Sequence, residues 1–321
     1  MLITEFLLAG LGLVILLLAG DTLVRGAVNL SLRLGIPALI VSLTIVAFGT
    51  SAPELLISIS AILDGVPGLA LGNVVGSNTA NILLVLGIPA LMSGLDTSQC
   101  DTRRNFVIMM VATLAFIGLA FAGPFTWWHG LILLAGLALM LGEAAWTARS
   151  HKRDSAAAAA LEELEDVEGA DPDMPWWQIV VFLLLGLVGL PLGADLLVDS
   201  SVVIARSFGV SETAIGLTLV AVGTSLPELA TTVMAALRRH AEVALGNVIG
   251  SNIFNLLGII GVASLVGPIP VDAEILTFDL WIMLAASLLL IPFVYFRWVF
   301  GRVVGVVFTA LYLIYVISVL S

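Results

Sequence analysis

GTSAPELL at residues 49–56 is followed by LGNVVGSNTAN at 71–81, and 174 positions later the chain repeats itself, with GTSLPELA at 223–230 and LGNVIGSNIFN at 245–255. The offset holds without a gap across residues 36–87 and 210–261, where 23 of the 52 aligned positions are identical. Each copy sets a carboxylate, Glu54 or Glu228, inside a strongly apolar segment. An acid in hydrocarbon costs free energy, so two at equivalent positions point to one ion site assembled from two halves.

The surrounding composition places these segments in a membrane. Of 321 residues, 60% are hydrophobic and 11% charged, and the mean hydropathy is +1.16; a soluble domain carries about 25% charged residues. Continuous apolar runs recur at 2–22, 36–62, 69–93, 104–122, 126–148, 176–204, 211–237, 243–266, 279–296 and 302–320. Each is long enough to cross a hydrocarbon core of about 30 Å, and none alternates as the strands of a membrane barrel do. The first and sixth segments are expected to continue as helices through Arg33 and Arg206. The single cysteine, Cys100, excludes an internal disulfide and a cysteine-based metal cluster. No positive n-region precedes the first span, so it does not read as a cleavable signal peptide.

Basic residues set the orientation. With the N-terminus outside, eleven of the twelve Lys and Arg residues fall in cytoplasmic loops, and only Arg206 lies outside. Both termini are therefore expected outside and the central loop in the cytoplasm. Five spans separate each position from its copy, and an odd number of crossings turns the second copy upside down. The expected fold is an all-α polytopic membrane protein, ten transmembrane helices arranged as two inverted five-helix repeats. The first half is 1–148 with its motif at 36–87, and the second is 176–321 with its motif at 210–261. Residues 149–175 form a cytoplasmic linker that starts basic and ends acidic, with a short exposed helix near 155–168; no EF-hand pattern occurs in it. Asp21 and Asp195 also stand 174 apart, but the last two spans of each half show no readable repeat.

Within GTSxPE, proline has no N–H and its ring opposes the carbonyl four residues back, so each motif helix is expected to break near Gly49 and Gly223. The break should free carbonyls near Ala47 to Thr50 to face an ion. Thr50, Ser51 and Glu54 share a helix face, as do Ser77 and Asn81, and the second copy repeats both sets with Thr224, Ser225, Glu228, Ser251 and Asn255. Gly72, Gly76, Gly246 and Gly250 have the small-xxx-small spacing of close helix packing. Asn73, Asn78, Asn247 and Asn252 read as interhelical hydrogen-bonders or as partners for the backbone groups freed at the helix breaks. No Lys or Arg sits at the depth of Glu54 and Glu228. Facing each other, the copies offer carboxylates, carbonyls, amides and hydroxyls, with no Cys and no His in either motif. An all-oxygen set suits hard cations such as Ca²⁺, Na⁺ or Mg²⁺ and not zinc or copper. Ca²⁺ accepts six to eight oxygens in loose geometry, whereas Mg²⁺ holds its waters.

The two GTSxPE…GNVxGSNxxN elements resemble the α-repeats of the sodium/calcium exchanger family, in the calcium:cation antiporter superfamily. The resemblance implies an alternating-access antiporter moving Ca²⁺ against Na⁺, with the lipid bilayer and these ions as its partners, no other cofactor, no nucleic acid and no enzymatic step. It implies Ca²⁺ ligation by Glu54 and Glu228 with the backbone carbonyls of Thr50 and Thr224. Flanking Na⁺ sites would use Ala47, Ser51, Ser77, Ala221, Ser225 and Ser251, with Asn81 and Asn255 in the middle. Many family members carry Asp at the position of Asn255, so this site holds two formal negative charges instead of three. The expected action is competitive: one Ca²⁺ or several Na⁺ fills the site, and the first and sixth helices slide as a gate. A Ca²⁺/H⁺ or K⁺-assisted antiporter is the alternative, and a cation channel the reading from another class. A single chain supplies both halves of the site, so it is expected to work as a monomer, in a prokaryotic inner membrane.

Overall fold

A computed structural model describes residues 2–98, 100–151, 171, 173–209 and 221–320. The described residues are helical throughout. The only strand-like pairings among them are two isolated bridges, Leu95 with Phe300 and Phe125 with Ile269. The elements are α1 (Leu2–Leu34), α2 (Ala38–Thr50), α3 (Ala52–Leu63), α4 (Pro67–Met92), α5 (Arg103–Phe121), α6 (Trp127–His151), α7 (Trp176–Ser207), α8 (Leu226–Leu237), α9 (Ala241–Val266), α10 (Ile275–Phe296) and α11 (Arg302–Leu320). Eight of these helices are long and apolar enough to span a membrane, and α2 with α3, bent by 41°, makes a ninth. The expected span at 211–237 is described only from residue 221, as the turn Ala221–Gly223 and α8. Most of the linker 149–175, including its expected helix, lies outside the described residues.

Burial sorts the helices into a centre and a rim. In α4 and α9, 83% and 89% of the apolar window is enclosed, against 17–39% in the other spans. The motif helices therefore form the core, and the exposed Phe6, Leu11, Leu18, Leu184, Val303 and Ile314 form the outer apolar belt. With no hydrophobic drive between helices in lipid, close approach depends on small residues. A Cβ on Gly250 would lie 2.4 Å from the Leu43 carbonyl oxygen, and one on Gly246 would lie 2.9 Å from that of Leu39. Two of the small-xxx-small glycines thus seat α9 on α2. The positions one repeat offset from Leu39 and Leu43, 213 and 217, lie outside the described residues.

The first and seventh helices are long, as expected. At 33 and 32 residues each measures roughly 50 Å, well beyond a bilayer's hydrocarbon. They pack antiparallel, because a Cβ on Gly12 would meet Leu197 N at 2.7 Å while one on Gly186 would meet Leu23 Cβ at 2.4 Å. α7 also covers both helix breaks: Leu187 lies over Gly49 and Val198 over Gly223.

Repetition extends further than identity does. Leu95 and Phe300 exchange backbone hydrogen bonds of 2.9 and 3.0 Å, and Phe125 and Ile269 exchange bonds of 2.8 and 2.9 Å. Leu95 and Ile269 are 174 apart, and Phe125 and Phe300 are 175 apart, so the two bridges are copies of one another in loops whose sequences show no likeness.

One set of repeated positions is chemically inverted. Asp21 of α1 pairs with Arg25 at 3.1 Å and with Arg238, which follows α8. Adding or subtracting 174 converts Asp21, Arg25 and Arg238 into Asp195, Asp199 and Asp64, all three exposed.

Two outcomes are expected from this packing. Gly250→Ala forces α9 off the α2 backbone, an overpacking worth about 1–3 kcal/mol, and lowers the thermal midpoint of the detergent-solubilised protein. Gly142→Ala, with nothing described within 4 Å of its Cβ, leaves the midpoint unchanged or raises it. Asp21→Asn strands the largely enclosed Arg238 and lowers the midpoint by an amount corresponding to about 2 kcal/mol, whereas Asp195→Asn does not; differential scanning fluorimetry reads both.

Candidate functional site: paired carboxylates at two helix breaks

Both motif carboxylates sit just past a helix break. Pro53 and Pro227 occupy the first turn of α3 and α8, and Ser51 and Ser225 before them leave helical geometry with φ −87° and ψ near 5°. The proline removes the N–H that would serve the carbonyl of Gly49 or Gly223. The freed stretch is narrower than expected. The Ala47 carbonyl already accepts the Ser51 amide at 3.1 Å and has the Thr50 hydroxyl at 3.3 Å, because the proline takes the donor from Gly49 and not from Ala47. The second break is tighter, with the Ser225 amide donating to the Val222 carbonyl at 3.1 Å. Ala221 opens the turn there.

The glutamates are held by their own backbones. Asn73 donates to the Glu54 carbonyl at 3.4 Å and to Ser58 Oγ at 3.4 Å. Asn247 does the same for the Glu228 carbonyl at 3.4 Å and Thr232 Oγ1 at 3.2 Å. Ser58 and Thr232 escaped the sequence reading; both are polar at one repeat offset, although not identical. The copies also reach across to each other. Ser51 Oγ donates to Glu228 Oε1 at 2.9 Å, and Thr50 Oγ1 lies 3.3 Å from Asn247 Oδ1. Each of the four asparagines read as interhelical hydrogen-bonders has that role: Asn78 and Asn252 each donate to the other's backbone carbonyl, at 3.3 and 3.4 Å.

At the centre, Asn81 donates to Asn252 Oδ1 and Asn255 donates to Asn78 Oδ1, both at 3.1 Å. Here both core helices widen into π-helical turns, Asn81–Val85 in α4 and Phe254–Ile259 in α9. Such turns insert one extra residue per turn and are frequent at functional sites. No composition signal announces them.

Glu54 is 1% and Glu228 0% exposed, and neither forms an ion pair among the described residues. Polar atoms so deeply enclosed are normally hydrogen-bonded. Yet Glu54 Oε2, Glu228 Oε2, Asn81 Oδ1, Asn255 Oδ1, Ser225 Oγ and Ser251 Oγ are all buried without a hydrogen-bond partner. Every one belongs to a residue singled out from the motifs. Ser77 and Thr224 are also buried. Among the described residues no group of three or more His, Cys, Asp or Glu could hold a metal. The chemistry on offer is therefore two carboxylates surrounded by neutral oxygens, which can replace the hydration shell of a hard cation.

The chain as a whole has recognised relatives. The model of the sodium/calcium exchanger protein family matches residues 4–142 and 178–321, two blocks whose starts again differ by 174. The chain is 33% identical to the sodium/calcium exchanger MaX1 of Methanosarcina acetivorans over 99% of both chains. It is 35% identical to the inner membrane protein YrbG of Escherichia coli over 90% of this chain and 87% of that one. Among solved structures, the sodium-calcium exchanger NCX_Mj soaked with zero Na⁺ and Ca²⁺ superposes with a TM-score of 0.82 at 32% identity, covering 99% of this chain and 100% of the other.

Proposed function

The chain belongs to the sodium/calcium exchanger family, a family of multi-pass membrane antiporters that move Ca²⁺ against other cations, and from that premise we propose that its counter-ion is Na⁺ and that both ions compete for the Glu54/Glu228 site. The observation that carries this reading is that, of the seven buried side-chain oxygens without hydrogen-bond partners among the described residues, six lie on motif residues, Thr309 Oγ1 being the seventh. Two carboxylates in a membrane interior cost together about 5–7 kcal/mol on insertion scales, and a bound cation offsets that cost directly. One Ca²⁺ neutralises both. Na⁺ ions do the same in greater number, using Ser51, Ser77, Ser225, Ser251, the carbonyl of Ala221 and, once the Thr50 hydroxyl turns away from it, that of Ala47, while Thr50 and Thr224 supply carbonyls to Ca²⁺. Asn81 and Asn255 add neutral oxygen and no third charge.

The mechanism follows from charge balance. A filled site is close to neutral and can pass through a closed state, whereas an empty one would leave two carboxylates unscreened in low dielectric. Exchange is then obligatory: the site crosses loaded or does not cross. α1 and α7 are suited to move as a pair, since they pack on each other through glycines and α7 covers both helix breaks. The ten-span inverted arrangement, with halves 1–148 and 176–321 joined by 149–175, lets each break face one side of the membrane. Both halves come from one chain, so a monomer suffices.

In proteoliposomes, an outward Na⁺ gradient is expected to drive Ca²⁺ uptake, and neither a K⁺ nor a pH gradient should replace it. Uptake driven by the pH gradient alone would make the protein a Ca²⁺/H⁺ antiporter, and uptake with no counter-flux would make it a channel. Glu54→Gln and Glu228→Gln are each expected to abolish coupled flux, and normal transport by either removes the site assignment. For orientation, the proposal places both termini outside an inner membrane. The native thiol Cys100 will interfere little with labelling, because burial and then Glu242 and Asp96 push it up to about 12. Ala122→Cys should react with an impermeant maleimide applied from outside, and Val299→Cys only after the membrane is opened; the reverse pattern inverts the topology.

A further inference from the structure

Four asparagines at the centre form a closed logical chain. Asn78, Asn81, Asn252 and Asn255 are at most 2% exposed. The Asn78 side chain lies 3.3 Å from the backbone carbonyl of Asn252, which can only accept, so the Asn78 NH₂ must be the group that faces it. The Asn78 oxygen is thereby turned the other way, and only a donor can meet it. Asn255 meets it with its NH₂ at 3.1 Å. The Asn255 oxygen then has to point away, and it is buried with no hydrogen-bond partner. The mirror sequence holds. Asn252 donates to the Asn78 carbonyl at 3.4 Å, its oxygen accepts the Asn81 NH₂ at 3.1 Å, and the Asn81 oxygen is left without a partner.

No single amide in this set can be turned over. Flipping Asn255 alone sets oxygen against oxygen at Asn78. Flipping Asn78 with it sets an amide oxygen against the Asn252 backbone carbonyl. The direction of each central amide is therefore fixed by a main-chain carbonyl two steps away, through a residue of the opposite repeat.

We propose that Asn78 and Asn252 are positioning residues for cation selectivity: each orients the central asparagine of the other repeat, Asn255 or Asn81, so that oxygen and not NH₂ faces the ion. The assignment rests on the reading of Asn81 and Asn255 as central ligands. Without the lock, an asparagine can present either end, and an NH₂ turned inward repels the cation it should hold. Serine or carbonyl ligands need no such device: a carbonyl has no donor end, and a serine hydroxyl can turn its proton aside while its oxygen stays in place. The device is specific to a site with asparagine at both central positions.

The test exploits the one side chain of the same shape whose two ends are alike. Aspartate offers oxygen to the ion in either orientation. Asn252→Leu and Asn81→Asp are made singly and together, and the Ca²⁺ dependence of Na⁺-driven uptake is measured in proteoliposomes. Asn252→Leu should raise the half-saturating Ca²⁺ concentration by roughly ten- to a hundredfold, the usual range for losing an interaction with a charged group. Asn81→Asp alone places a carboxylate oxygen against the Asn252 oxygen and should also weaken Ca²⁺ binding. In the Asn252→Leu background the same Asn81→Asp change should instead restore affinity. An Asn81→Asp effect of the same sign and size in both backgrounds makes Asn252 merely structural and overturns the proposal. No effect in either background shows that Asn81 is not a ligand, which overturns the central-ligand reading and the proposal with it. If Asn252→Leu does not elute as a folded protein, Asn78→Leu with Asn255→Asp runs the same cycle through the mirror half.

Discussion

A carboxylate enclosed by hydrocarbon has to find positive charge or give up its own. In this chain two carboxylates, Glu54 and Glu228, are enclosed together with no basic side chain among the described residues to meet them, and the rest of the fold is organised around that condition. The prolines break α2 from α3 and shape the second break before α8, so that each glutamate starts a helix instead of lying in the middle of one. The glycines bring α9 onto α2 closely enough to exclude lipid. Asn73 and Asn247 hold the glutamate backbones, and Ser51 spans the two copies to reach Glu228. What remains is a group of buried oxygens with nothing to donate to them. On the proposed function, a mobile cation completes the charge balance, and because it is mobile, the same deficit that demands it also makes it exchangeable.

The scaffold around this deficit is tied together by hydrogen bonds between the two copies. Asn78 and Asn252 tie α4 to α9 through each other's main chain at the level where both helices widen into π-helical turns. A widened turn shifts the register of side chains past it, and polar groups on both helices can then face one point. This polar centre contrasts with the long antiparallel pair α1 and α7 at the side, joined through glycine contacts and a buried apolar cluster that includes Leu16, Leu23, Ile179 and Leu190.

Much of this was legible because repetition carries more information than composition. The offset of 174 located Glu54 with Glu228, assigned interhelical roles to Asn73, Asn78, Asn247 and Asn252, and drew attention to Gly246 and Gly250. Hydropathy found the long helices because lipid contact is a property of composition and length. It could not find the π-helical turns at Asn81 and Phe254, since an added residue per turn leaves composition unchanged. Nor could it find the bridge between Leu95 and Phe300 or its copy between Phe125 and Ile269, where backbone pairs with backbone and side-chain identity is irrelevant. The expectation of free carbonyls at Ala47 was too broad for a simpler reason: a proline withdraws one donor from one carbonyl, four residues back. Ser58 and Thr232 were passed over because a search for identity overlooks two different hydroxyls with the same function.

The scaffold repeats, but its rims do not. Asp21 pairs with both Arg25 and Arg238 on one face and leaves one net positive charge, while the related positions on the other face carry Asp195, Asp199 and Asp64, three exposed like charges. A carrier with identical rims would have no intrinsic preference between its two end states. Here the end states differ in standing free energy by whatever the two rims contribute. Both rims meet solvent, through Arg25 on one and the three aspartates on the other, and screening there acts over about 8 Å at physiological ionic strength. On the proposed function, the resting poise of the carrier therefore responds to salt through charges of opposite sign on its two faces, while the direction of net transport still belongs to the gradients.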